Sequence, residues 1–291
     1  RVQGAVSRRR LVGAAAAGGA AALLAGLAPA TGTARQATPG ASPVASPGAS
    51  PVASPIAAVL PGGFTAVRDL THVITPAFPV FPGYIQFERT ELATIAADGF
   101  YANELRLAEH TGTHLDAPGH FAEGAPTAEL LPIERFVAPL AVVDISERAA
   151  SDDDAALTVD DLLAWEAEHG AIPAGALVAM FSGWETRLAD PAVFLNADAS
   201  GALHFPGIDP EAAAFLVEER DIVGVGVDTL SIDIGASTDY GTHVTVLGAE
   251  KYGVENLANL ADVPPVGATI IVGGPKHEAG SGGPARVLAL Y

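Results

Sequence analysis

Three histidines and an aspartate fall within eleven residues: His110-Thr-Gly-Thr-His114-Leu-Asp116-Ala-Pro-Gly-His120. Imidazole and carboxylate at this density are suitable ligands for zinc or manganese. The four-residue spacing of His110 and His114 would suit one face of a helix, but Gly112, Pro118 and the flanking threonines argue against a helix here. In an extended segment His110, His114 and Asp116 share parity, so their side chains leave one face. A straight strand spans about 13 Å in four residues. That is too far for two ligands held about 2.1 Å from one ion. The segment must therefore bend, and Gly112 permits the bend. Pro118-Gly119 then turns the chain, so that His120 comes back toward the same place. The bland alternative is a row of hydrogen-bonded polar residues on a half-exposed strand, and three N/O ligands at this spacing favour the metal.

His243 and Glu255 stand further along, in Gly241-Thr-His-Val-Thr-Val-Leu247 and Glu255-Asn-Leu-Ala-Asn-Leu260. Each has two readings of equal weight. His243 is a satisfied core histidine or faces the site; Glu255 is a first-turn helix carboxylate or faces it too. His72, His169, His204 and His277 have no partner pattern and read as surface or structural histidines. Asp152-Asp-Asp154 reads as a solvated loop, since a calcium loop needs spaced oxygens and a bidentate glutamate. Trp184 suits a pocket wall or the core equally.

The elements that must position these groups are mostly strands. Val67–Ile74, a long stretch over 102–116, Leu140–Ile145, Leu177–Phe181, Ile222–Val227, Thr269–Ile-Ile-Val272 and Ala285–Leu290 read as strands from their apolar, β-branched runs. Thr158-Val-Asp-Asp161 caps a helix that Gly170 stops, and Asp209-Pro210-Glu211 heads another through Arg220. Strands outnumber helices without strict alternation, which predicts an α+β fold with a mixed sheet. There is no Walker A sequence, no G-x-G-x-x-G fingerprint and no G-x-S-x-G elbow.

The 291 residues include 34 acidic and 15 basic side chains, no cysteine and a formal charge of -19. The acidic balance argues against a nucleic-acid partner. Without cysteine, thiolate metal sites and cysteine nucleophiles are excluded, and any metal must be held by nitrogen and oxygen. Residues 1–30 carry Ser7-Arg8-Arg9-Arg10, an Ala/Gly/Leu run and Ala28-Pro29-Ala30. That pattern predicts a twin-arginine-type signal peptide, export out of the cytoplasm, and no membrane span in the mature form. Cleavage after Ala30 would remove four arginines and take the charge from -19 to -23. Residues 31–63 contain an eight-residue repeat, Ala41-Ser-Pro-Val-Ala-Ser-Pro-Gly48, and read as a Pro/Ala/Ser-rich disordered linker. The folded domain is then expected over 64–291.

The stretch His110-Thr-Gly-Thr-His114-Leu-Asp116-Ala-Pro-Gly-His120-Phe121 resembles the H-x-G-T-H-x-D-x-P-x-H-F signature of the cyclase family, which includes bacterial kynurenine formamidase and isatin hydrolase. Weaker matches are Asp69-Leu-Thr-His, Pro79-Val-Phe-Pro-Gly83, Gly226-Val-Asp228-Thr with Ser231-Ile-Asp233, and Gly280-Ser-Gly-Gly-Pro-Ala-Arg286. The resemblance implies a swivelling β/β/α domain, usually a homo-oligomer (dimer or tetramer), binding one or two zinc or manganese ions. By position it implies His110, His114 and Asp116 at a first metal and Asp116 bridging to a second with His243 and Glu255. His120 lies within the ligand cluster as the general acid/base. Phe81 stands where formamidases place a tryptophan against the substrate, so the indole donor is gone and only an aromatic face remains. Tyr84 stands where an acidic residue usually follows Pro-Gly. Glu255 resembles formamidases, where isatin hydrolases tend to carry glutamine.

The expected function is metal-dependent hydrolysis of an aryl formamide such as N-formylkynurenine. The alternative is a cyclic amide (lactam or imide) hydrolase of the isatin type, which export away from cytoplasmic tryptophan catabolism favours slightly. A reading of another class is an exported metal- or ligand-binding protein without catalysis.

Overall fold

The structure, a computed structural model, describes residues 61–291. The expected signal peptide and the linker as far as residue 60 lie outside the described residues. Among the described residues no helix is long and apolar enough to cross a membrane.

The described residues form thirteen strands: β1 (Val67–Asp69), β2 (Glu88–Ala93), β3 (Ala102–Arg106), β4 (His114–Asp116), β5 (Val137–Asp144), β6 (Ala156–Leu157), β7 (Leu177–Phe181), β8 (Gly207–Ile208), β9 (Gly224–Val227), β10 (Tyr252–Glu255), β11 (Ala268–Gly273), β12 (Gly282–Pro284) and β13 (Arg286–Leu290). Nine form one mixed sheet in the order β1-β13-β11-β5-β7-β9-β10-β4-β12. Its centre, β5-β7-β9-β10, is parallel, and both flanks are antiparallel. Parallel strands are covered on both faces, which is why β7 and β9 are almost continuously apolar and buried.

Three helices cover one face. Thr158 opens Val159–His169 with a capping box closed by Asp161, and Asp209 caps Pro210–Glu219 at a proline in the first turn. Together with Gly241–Gly248 they place Leu162, Trp165, Ala213, Leu216, Val246 and Leu247 against Val143, Val178, Met180, Val225 and Val227. Alternate residues of the same strands, among them Val142, Leu177, Ala179 and Val254, enter a second core on the opposite face with Leu115 and Ile270. The α+β expectation holds.

Three local expectations are corrected. The strand over Val67–Ile74 stops at Asp69; beyond it only Thr71 makes a bridge, to Leu257. The long strand over 102–116 is two strands in different sheets. β3 pairs with β2 in a separate hairpin, whereas β4 lies in the main sheet between β10 and β12. The break is the loop through Gly112, whose φ of +70° ends the extended run. Glu255 is not in a helical first turn but ends strand β10. His243 lies in a helix, Gly241–Gly248, entered from Tyr240 in a left-handed conformation.

Candidate metal centre

The site sits where the helix Gly241–Gly248 passes over the end of the sheet. β4 carries His114 and Asp116 on one face, with Leu115 turned into the opposite core. The antiparallel register puts Glu255 of β10 directly opposite His114, and Gly253 opposite Asp116. A side chain at 253 would have its Cβ 3.2 Å from Asp116 Oδ2, so glycine leaves the carboxylate its room. At Gly112 a Cβ would lie 2.6 Å from Ile74 Cγ1, in a left-handed backbone that side chains rarely adopt. Gly112 is thus the bend that lets His110 return toward His114. The turn Pro118–His120 brings His120 back in the same way.

The structure brings together all six residues singled out as candidate ligands. His110 Nδ1 lies 2.6 Å from Asp116 Oδ1. His114 Nε2 lies 3.3 Å from Asp116 Oδ1 and 3.3 Å from Glu255 Oε2. His243 Nε2 lies 3.2 Å from Glu255 Oε1 and 3.7 Å from Asp116 Oδ2. The His120 ring stacks on that of His110, centroids 3.9 Å apart. Two groups of donor atoms, each within 4.8 Å, emerge: His114 with Asp116 and Glu255, and His110 with Asp116 and His120. Asp116 belongs to both.

Two donor atoms are left over. His114 Nε2 and Asp116 Oδ2 are buried and make no hydrogen bond. An unpaired buried polar atom costs roughly 1–3 kcal/mol, and two at one centre need a common explanation. His114 Nδ1 is already engaged by the Gly112 carbonyl, which turns Nε2 inward. The donor set is all nitrogen and oxygen, from imidazole and carboxylate, and it fits a divalent ion such as zinc or manganese.

Electrostatics point the same way. Burial disfavours the charged form of His114, yet Asp116 and Glu255 outweigh burial and raise it to about 10. Burial likewise opposes charge on Asp116, but the charge of His114 beside it holds it well below the usual carboxylate range. The cluster is therefore built to retain positive charge. His120 goes the other way. Burial lowers it to about 4; Asp116 opposes that shift and His110 adds to it. Near neutrality its imidazole is uncharged and able to accept a proton.

Above the donors lies a cavity of about 250 Å³ walled by Phe81, Tyr84, Phe121, Leu230 and Tyr240. Phe81 is among the residues that line it. Trp184 is not; it is buried beneath, against Phe194, Phe205 and Leu230, with its indole N–H donated to the Phe194 carbonyl. Two of the histidines read as lacking partners have them: His204 contacts Asp154 at 2.8 Å, and His277 contacts Glu109. Asp153 is held by Arg187 and Asn196, so the Asp152–Asp154 run is tied into a surface network.

Sequence reasoning missed Asp233, which accepts from His243 Nδ1 at 2.5 Å and from the backbone N–H of Thr242 at 2.8 Å. It also assigned no role to Phe121, Ser231 and Tyr240, which line the cavity. Phe121 closes the His110–Phe121 signature and Ser231 and Asp233 stand in a weaker match, but nothing in the spacing tells that they reach the site.

Residues 68–234 match the family model described as putative cyclase. The chain belongs to the cyclase family. Among its relatives, isatin hydrolase of Roseibium aggregatum is 37% identical over 250 residues, covering 80% of this chain and 94% of that protein. Kynurenine formamidase of Salinibacter ruber is 29% identical over 225 residues, covering 77% of this chain and 96% of that protein. The solved isatin hydrolase A of Labrenzia aggregata, bound to benzyl benzoate, superposes with a TM-score of 0.74 at 38% identity, covering 77% of this chain and 93% of that one. This cyclase-family chain shares the mixed α+β sheet of those structures.

Proposed function

We propose that this chain is a metal-dependent amide hydrolase and that its substrate is a cyclic aryl amide of the isatin type. One observation carries the reading: two buried, unpartnered donors, His114 Nε2 and Asp116 Oδ2, stand at the floor of an aromatic-walled cavity. A divalent ion held there supplies Lewis-acid polarisation of the amide carbonyl and a lowered pKa for water. His110, His114, Asp116, His243 and Glu255 would hold it, Asp116 being common to both donor groups. The neutral imidazole of His120 accepts the proton of the water that attacks the carbonyl. As the C–N bond breaks, the same imidazole returns that proton to the leaving nitrogen, and the carbonyl carbon ends as a carboxylic acid that releases the water's second proton to solvent. Phe81, Phe121 and Tyr240 offer flat apolar faces to a planar ring.

The lining favours the cyclic amide over the formamide. Among the described residues no lysine or arginine lines the cavity, so the amino-acid carboxylate of N-formylkynurenine meets no cationic side chain there. The higher identity to an isatin hydrolase than to a formamidase supports the same choice. Glu255 is the observation that favours the formamidase reading instead. A substrate panel on enzyme loaded with manganese or zinc separates them. The cyclic-amide reading expects kcat/KM for isatin to exceed that for N-formylkynurenine by at least tenfold, and the reverse order would overturn it.

Three expectations remain part of this reading. Export rests on the Arg8-Arg9-Arg10 and Ala28-Pro29-Ala30 pattern, and the domain limits on the composition shift near residue 63. A homo-oligomer is supported by the β2–β3 hairpin, where Leu92, Ile95, Phe100, Tyr101 and Leu105 are exposed.

A further inference from the structure

The edge of His110 turned away from the donor cluster enters a chain of side chains that hydrolysis does not use. His110 Nε2 lies 2.9 Å from Ser281 Oγ. Ser281 Oγ lies 2.5 Å from Glu109 Oε2, which also accepts the Ser281 backbone N–H at 3.3 Å. The other oxygen of Glu109 meets His277 Nε2 at the surface. Ser281 is 172 residues from Glu109, and the sheet unites them by laying β12 along β4.

The direction of each hydrogen bond follows from the end of the chain. An ionised carboxylate accepts and cannot donate. Glu109 is a partly exposed carboxylate ringed by donors, the Ser281 backbone N–H, the Ser281 hydroxyl and His277 Nε2, so it is the acceptor at the end of the chain. The single hydroxyl proton of Ser281 must therefore point to Glu109. Ser281 Oγ then offers only lone pairs to His110, so a neutral imidazole, the form that can ligate an ion, carries its proton on Nε2. Nδ1 is left with a bare lone pair, and it faces Asp116 Oδ1 at 2.6 Å. Two acceptors at that distance repel unless a cation lies against both. The packing holds the ring in this pose: a Cβ at Gly282 would come 2.8 Å from His110 Cε1 and would run into the Leu115 carbonyl.

We propose that Glu109 is a positioning residue of the metal centre, acting through Ser281 to fix His110 as the Nε2–H tautomer and to aim a bare Nδ1 at the ion. The proposal rests on the metal reading given above. It makes Glu109 and Ser281 one device, so removing either should cost the same.

The test is metal affinity, measured on metal-stripped protein by competition with a chelator, using cobalt(II), whose visible spectrum also reports ligand geometry. Outer partners of metal-bound histidines change affinity by about 10–100-fold. Glu109→Ala and Ser281→Ala should each weaken cobalt binding by that factor and alter the spectrum. The double variant should be no weaker than either single variant. Ser281→Thr, which keeps the hydroxyl, should stay within about threefold of wild type. Single variants within twofold of wild type, or losses that multiply in the double variant, would overturn the proposal. Should Ser281→Ala fail to fold, Glu109→Ala and Glu109→Gln decide the matter alone, since Glu109 is partly exposed. A wild type that binds no cobalt would overturn the metal reading, an outcome distinct from unchanged variants of a protein that does bind.

Discussion

His243 Nδ1 lies 2.5 Å from Asp233 Oδ2, and that carboxylate also accepts the backbone N–H groups of Thr242 and His243. One aspartate thus fixes both the start of the helix Gly241–Gly248 and the tautomer of its histidine, leaving Nε2 free to face Glu255 and Asp116. Asp233→Asn tests this. The amide keeps an oxygen for the backbone but can turn its NH₂ to Nδ1, which selects the wrong tautomer. Metal affinity should fall about 10–100-fold, with a smaller change in the thermal midpoint of the metal-free protein. An asparagine variant with wild-type affinity would contradict the assignment.

His120 has no hydrogen bond to a carboxylate among the described residues, and its ring lies between those of His110 and His243. If it moves the proton, His120→Ala should lower kcat by about 10²–10⁴. Metal content at the group His114, Asp116 and Glu255 should persist. Elemental analysis beside single-turnover kinetics reads both. A kcat within threefold of wild type would remove His120 from the mechanism.

Gly112→Ala probes the bend. Its φ of +70° and the 2.6 Å approach of a Cβ to Ile74 make the substitution strained on two counts. The expected cost is about 1–3 kcal/mol in stability, with loss of metal binding because His110 and His114 no longer converge. Equilibrium unfolding in urea, with and without metal, gives both numbers. A variant as stable as wild type that still binds metal would show that the bend tolerates a side chain.

Much of this site was legible before the fold was known, for a physical reason. His110, His114, Asp116 and His120 are close in sequence, so the reach of a strand and one glycine bend constrain where they meet. His243 and Glu255 were not decidable from spacing, because their approach depends on β10 pairing with β4. Glu109 gave no local signal, and Asp233 and Ser281 stood only in weak matches that assign them no partner; the contact from His110 to Ser281 spans 171 residues. The strand read over 102–116 failed for a related reason. Its two extended parts look continuous along the chain, and only their partners, β2 for one and β10 with β12 for the other, show that they belong to different sheets.

Asp228 gives a pH test away from the metal. It is fully buried and accepts hydrogen bonds from Ser182 and from the Trp184 backbone. Burial pushes its pKa up to about 6 against those bonds, from the ordinary value of 3.8. In this window the native state holds a proton that the unfolded chain has released. The stabilisation from this group is therefore complete below pH 3.8 and is lost as pH rises through about 6. Asp228→Asn lacks that decline. Between pH 4 and 7 the wild type should lose roughly 2–3 kcal/mol relative to the variant, measured by urea unfolding at several pH values. Parallel stability curves for the two proteins would sink the assignment.

The central claim is tested most directly by isatin ring opening. The enzyme is assayed after removal of metal by chelation, after restoring manganese or zinc, and as His114→Ala under the same conditions. The account predicts turnover that vanishes on chelation and returns with the metal, and a His114→Ala variant that neither binds metal nor opens the ring. Ring opening at the wild-type rate by the stripped enzyme, or by His114→Ala, would contradict it.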